Sequence, residues 1–309
     1  MNRLMRCCLV GVATTALASC EAPAPRDIVF ASRLAPGSDS LELFAMPREG
    51  GPRRQLTDNG SSNFPTLSPD GRTIAYSHRP PGGRLELHMM DASGTNSRMA
   101  ARFDSLDVYS PEWSFDGQRV AFVAADNGPD VAGWLYTINR DGTGLRRVPN
   151  SAGLAQCVGW ATDNETLLVS EFGPAASLPS RVVGIDVASG RREPVAESDT
   201  LGLVCPVVAP DGSGALISVA LYDEARSRII GMNIFSFSLE DGSVRPFVPI
   251  QFAKNPRWSP DGRQIVFHGE DHMGWAAPTD SLDLYTLNRD GQNLVRLTRN
   301  VIADIHPAW

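Results

Sequence analysis

The densest run of potentially reactive side chains is HGEDHMGW, which holds His268, Glu270, Asp271, His272 and Trp275. Imidazoles and carboxylates this close together can grip a divalent cation or pass a proton. Their spacing fits no standard ligand pattern, so they are read as solvated residues of a loop, and no metal or other cofactor is expected from them. Trp275 is either an exposed aromatic anchor for a partner or a cover for its own sheet. The other reactive residues are cysteines, at positions 7, 8, 20, 157 and 205. No Gly-x-Ser-x-Gly elbow, His-Glu-x-x-His pair, phosphate-binding Gly-Lys loop or Cys-x-x-Cys occurs, so no residue is assigned a catalytic role.

The elements that must position these residues come from an internal repeat. Its clearest copies are FPTLSPDGRTIAYS (64–77), SPEWSFDGQRVAFV (110–123) and NPRWSPDGRQIVFH (255–268). Two eroded copies begin at Cys157 and Cys205, and HPAW (306–309) is a sixth start. Aligned on Pro65, Pro111, Val158, Pro206, Pro256 and Pro307, the spacings are 46, 47, 48, 50 and 51 residues. That period suits the blades of a β-propeller. In each unit a Pro-x-Trp strand meets a tight SPDG turn, where Pro presets φ, Asp bonds nearby backbone and Gly takes a positive φ. Asn164 replaces that Gly in one copy, and Asn tolerates the same conformation. A second strand such as Thr73–Tyr76 follows, then a third strand, a second Gly turn and a fourth strand, with the two-residue alternation of half-buried strands.

The first run, Asp27–Ser32, has the pattern of a second strand; its missing first strand is expected from Ile305–Trp309. The fold class is therefore all-β: six four-stranded antiparallel blades, closed by strand exchange between the two ends of residues 27–309. A closed ring leaves no strand edge that demands a partner, so a monomer is the default. The residues ahead of each motif Pro, or its equivalent, are expected to ring the mouth of the central channel. They are Phe64, Ser110, Cys157, Cys205, Asn255 and His306, the candidate ligand-facing set, with His268, Asp271, His272 and Trp275 as loop candidates. The long loops are expected at 219–231 and 268–280. Trp113, Trp160, Trp258 and Trp309 repeat at one position and are read as packing between blades. Cys157 and Cys205 occupy equivalent places in neighbouring blades. Inner strands are expected to stand too far apart for a bridge, so two buried free thiols are preferred over a disulfide.

These SPDG-containing blades resemble the propeller of the TolB family, over about residues 27–309. The resemblance implies a non-catalytic platform that binds partner proteins in the cell envelope. Family members carry an additional N-terminal domain, for which about seven residues between Cys20 and the first strand leave no space. Related propellers also imply alternatives: an enzyme acting on polysaccharide or lactone with a metal ion at the channel mouth, to which His306 and Asn255 fit loosely, or sugar or peptide capture without turnover. Fold alone does not choose among these.

Residues 1–19 read as an export leader, with Arg3 and Arg6 ahead of a short apolar stretch. Leu17-Ala18-Ser19-Cys20 resembles the bacterial lipobox, making Cys20 the lipidated residue and 20–26 a tether. Two or more acyl chains, palmitate among them, give stable anchoring. Glu21 after the cysteine points to the outer membrane, facing the periplasm. The formal charge is −7, and losing Arg3 and Arg6 takes it to −9, which disfavours nucleic acid as a partner.

Overall fold

The computed structural model describes residues 27–126, 133–153, 157–173, 177–224, 229–250, 252–270, 282–299 and 301–309. Among these described residues twenty-four strands form six four-stranded antiparallel sheets. The first blade holds β1 (Ile28–Arg33), β2 (Leu41–Met46) and β3 (Arg54–Gln55), and the second β4 (Ser62–Leu67), β5 (Thr73–His78), β6 (Glu86–Asp91) and β7 (Arg98–Ala101). The third holds β8 (Asp107–Trp113), β9 (Arg119–Ala125), β10 (Gly133–Asn139) and β11 (Arg146–Arg147). The fourth holds β12 (Val158–Trp160), β13 (Thr166–Gly173), β14 (Ser177–Asp186) and β15 (Arg192–Ser198). The fifth holds β16 (Leu201–Val208), β17 (Ala215–Tyr222), β18 (Ile229–Phe237) and β19 (Val244–Pro246). The sixth holds β20 (Phe252–Trp258), β21 (Gln264–Glu270), β22 (Asp283–Asn288) and β23 (Val295–Arg296). β24 (Asp304–Ala308) lies beside β1 and completes the first blade.

The SPDG turns work as their composition demands. In the second blade Ser68 Oγ donates to Asp70 Oδ1, which also accepts from the Arg72 backbone N–H, while Gly71 takes φ 70°. Asn164 takes φ 57° at the equivalent place. The core lies between blades: Ala75, Leu87 and Met89 of the second pack against Trp113, Val120 and Phe122 of the third. This corrects the expected half-buried alternation. Second strands are sandwiched by neighbouring sheets and buried along nearly their whole length, as in β5 and β9. Continuous apolar runs are what burial on both faces requires.

Two further expectations change. β17 and β18 continue up to the pair Tyr222↔Ile229, so most of the expected 219–231 loop is ladder. β21 likewise runs through His268 to Glu270, and His268 is a buried strand residue rather than a solvated loop residue. Cys157 and Cys205 are joined by a disulfide, which overturns the preference for free thiols. The inner strands of adjacent blades converge on the axis, bringing the two Cα atoms to 5.5 Å, within bridging range.

Candidate functional site

Five of the six ring residues owe their position to a β-bulge, while Cys157 directly precedes β12 and is fixed by its disulfide to Cys205. Between Lys254↔His268 and Arg257↔Val266 two residues of β20, Asn255 and Pro256, stand opposite one of β21. The same two-against-one break occurs at Phe64–Pro65, Ser110–Pro111, Cys205–Pro206 and His306–Pro307. The first residue of each pair takes a left-handed backbone, with φ between 48° and 55°. Pro follows, and its missing N–H costs the ladder nothing there. A bulge re-aims a side chain, and here it turns these five ring residues toward the axis. Three of their backbone N–H groups are satisfied across blades: Cys205 donates to Ser170 Oγ at 3.1 Å, Asn255 to Ser218 Oγ at 3.1 Å, and His306 to His268 Nδ1 at 3.2 Å, while the Phe64 N–H donates to Asn63 Oδ1 at 2.8 Å within its own strand.

The ring divides the axis into three spaces. All six ring residues line a chamber of about 30 Å³, and all six also line a cavity of about 470 Å³ that contains Tyr109, Met232 and Lys254. Those three lie at the strand ends remote from the SPDG turns, so this larger cavity belongs to the loop face. On the turn face a funnel of about 270 Å³ is walled by Trp113, Trp160, Trp258 and Trp309. At its floor Glu112 of the third blade meets Arg257 of the diametrically opposite sixth blade at 3.0 Å. Each is the middle residue of its Pro-x-Trp motif, so one ion pair stoppers the channel. Burial pushes the Glu112 carboxyl up, with the Arg257 charge opposing it.

The tryptophans tie blades together. Trp160, Trp258 and Trp309 donate their indole N–H to the backbone oxygens of Glu112, Val207 and Arg257 in the preceding blade. Arg140, Arg119 and Arg289 stack over Trp113, Trp160 and Trp258.

One side of the loop-face cavity gathers its nitrogen chemistry. His306 stacks on Phe64 with ring centres 4.3 Å apart and donates from Nδ1 to Asn63 Oδ1 at 2.7 Å. His268 packs edge-on against His306, and because its Nδ1 accepts a backbone N–H, its proton sits on Nε2. Burial first, then the nearby Lys254 charge, hold both imidazoles neutral; His306 is pushed down to about 3 and His268 well below its usual range. Among the described residues no group of three or more His, Cys, Asp or Glu converges as a metal site would require. Asp271, His272 and Trp275 lie outside the described residues.

Motif reading missed Lys254. It immediately precedes a ring residue, lines the cavity, and is the single lysine among 28 basic residues. That singularity was its sequence signal.

The fold and channel define a six-bladed, end-sealed β-propeller. No protein-family profile matches the sequence, and no curated protein matches it. Solved structures do. TolB from Acinetobacter baumannii superposes with a TM-score of 0.71 at 17% identity, covering 92% of this chain. The chain spans 66% of that protein's length. A TolB candidate from Agrobacterium tumefaciens gives 0.63 at 17% identity, over 81% of this chain and 86% of that one. An oligogalacturonate lyase in complex with manganese gives 0.57 at 15% identity, over 84% and 71%. This protein therefore has the propeller fold seen in TolB, a fold that also serves a lyase.

Proposed function

We propose that this protein is a lipid-anchored binding platform of the bacterial cell envelope. In this reading the leader 1–19 is removed, Cys20 carries the acyl chains, and 20–26 tether the propeller to the outer membrane, facing the periplasm. Partner proteins dock at the loop-face mouth, against the ring of Phe64, Ser110, Cys157, Cys205, Asn255 and His306.

The observation that carries the reading is the loop-face cavity, ringed by five bulged inner strands and the disulfide-linked Cys157, with the Glu112–Arg257 ion pair standing between it and the opposite face. A blind pocket on a rigid disc suits capture of an inserted segment, since little ordering entropy is spent in the receptor. The placement of β1 agrees with it. β1 starts on the turn face, so a tether attached there leaves the cavity facing away from the membrane.

Metabolic labelling with palmitate and crosslinking in intact envelopes test the two halves. Label is expected in the wild type and not in Cys20→Ala, and a specific envelope protein is expected on the wild type and lost with His306→Ala. Equal labelling of both forms would remove the anchor, and an absence of any specific crosslinked protein would remove the platform.

A further inference from the structure

Arginine supplies every other basic Lys or Arg position in this chain, and most of the arginines with structural contacts have a carboxylate partner. Arg53 pairs with Asp304, Arg79 and Arg84 with Asp107, Arg257 with Glu112, Arg289 with Asp211 and Arg296 with Asp283. Lys254 forms no ion pair or hydrogen bond among the described residues; its ammonium lies 5.7 Å from the Phe252 ring centre. Removing an ammonium from water without a counter-charge is costly, and such groups concentrate where a ligand supplies the missing charge. Burial lowers the pKa of this amine.

The surroundings specify the ligand. The two neighbouring imidazoles are neutral, so they neither compete with Lys254 for an anion nor compensate it. Asp126 lines the same cavity from the third blade, across the axis, and has an interaction of its own. Phe64, Val123, Val204 and Met232 give the wall its apolar stretches, with Tyr109, Ser110 and Asn255 as neutral polar members. One cation beside apolar stretches of wall matches a carboxylate flanked by apolar groups.

We propose that Lys254 anchors a carboxylate of an acidic peptide segment inserted from a protein partner into the loop-face cavity. The proposal rests on the platform reading and names the chemistry of its partner. A lysine suits the task because its compact ammonium sits on a slim stem at the cavity wall, where a guanidinium fork would need a wider opening.

The single lysine makes the test site-specific. The purified protein is acylated with a small amine-reactive ester, and peptide mapping separates Lys254 from any N-terminal amine. The probes are a capped hexapeptide of alternating glutamate and leucine, the same peptide with glutamine, a leucine peptide with a free C-terminal carboxylate, and digalacturonate. The glutamate peptide is expected to slow acylation of Lys254 and to bind by calorimetry, and the glutamine peptide to do neither. Affinity should fall roughly tenfold or more in Lys254→Met and partly recover in Lys254→Arg, at unchanged melting temperature. Protection by the free C-terminus alone would assign the carboxylate to a chain end rather than a side chain and support the anchor. Equal behaviour of the glutamate and glutamine peptides, undiminished binding by Lys254→Met, or protection by digalacturonate alone would overturn the proposal. An envelope protein captured equally by wild type and Lys254→Met would leave the platform standing and remove this anchor. Peptide binding without any captured protein would do the reverse.

Discussion

Phe64, Ser110, Cys205 and His306 hold a backbone that their side chains disfavour, with φ between 48° and 55°. Strain of this kind costs on the order of 1–3 kcal/mol per residue and persists only where the surroundings over-determine it. Here the fixing forces are the bulge, the following proline and, for Cys205 and His306, a cross-blade bond to the backbone N–H. A β-branched side chain tolerates positive φ least. Ser110→Val is therefore expected to lose about 1–3 kcal/mol in urea denaturation, while Ser110→Gly holds its stability; equal midpoints for the two variants would contradict this. The motif Pro marks these positions in the sequence, but the conformation ahead of it is invisible there. It arises from register with a neighbouring strand that no local pattern encodes. Lys254 was hidden for a different reason: it belongs to no repeat consensus, and its meaning comes from having no carboxylate paired with it among the described residues.

At the scale of the element, the SPDG turns are legible because their chemistry is local: Asp70 bonds backbone two residues away, and Asn164 takes the glycine's place without changing the turn. The inner strands are less legible because their spacing is set by the whole ring. Convergence on the axis is what brings Cys157 and Cys205 within reach, joining the fourth and fifth blades across 48 residues. Closing a loop of that size is worth about 2–4 kcal/mol. Replacing both cysteines by serine, or reducing the wild type, should lower stability by that amount in denaturant titration. Unchanged midpoints under reducing and non-reducing conditions would show that the fold does not draw on the bond. His268 illustrates the other limit of element reading. The loop expected from its polar neighbours begins later, because β21 runs on to Glu270 and carries the imidazole into the core.

For the whole molecule, closure rests on β24. It pairs with β1 through Ala31↔Ile305 and Val29↔Ala308, and Trp309 reaches the sixth blade through its bond to the Arg257 backbone oxygen at 3.1 Å. Deleting residues 303–309 should abolish the single cooperative melt and lower the transition temperature in calorimetry; an unchanged melting curve would contradict the closure. The repeat count made this legible, since a first unit without an inner strand and a last motif without the rest of its blade fit one another. The stopper was not legible, because Glu112 and Arg257 sit in different copies and meet only when the ring is round. The shared sheet also imposes an order of events on biogenesis. A chain emerging from its N-terminus holds β1 with one flank bare until the segment carrying β24 has been delivered, and contacts of such separation form slowly. During that interval the bare flank is a template for the wrong strand. Folding chaperones of the compartment where the ring is assembled should therefore engage this protein at β1 before any other blade.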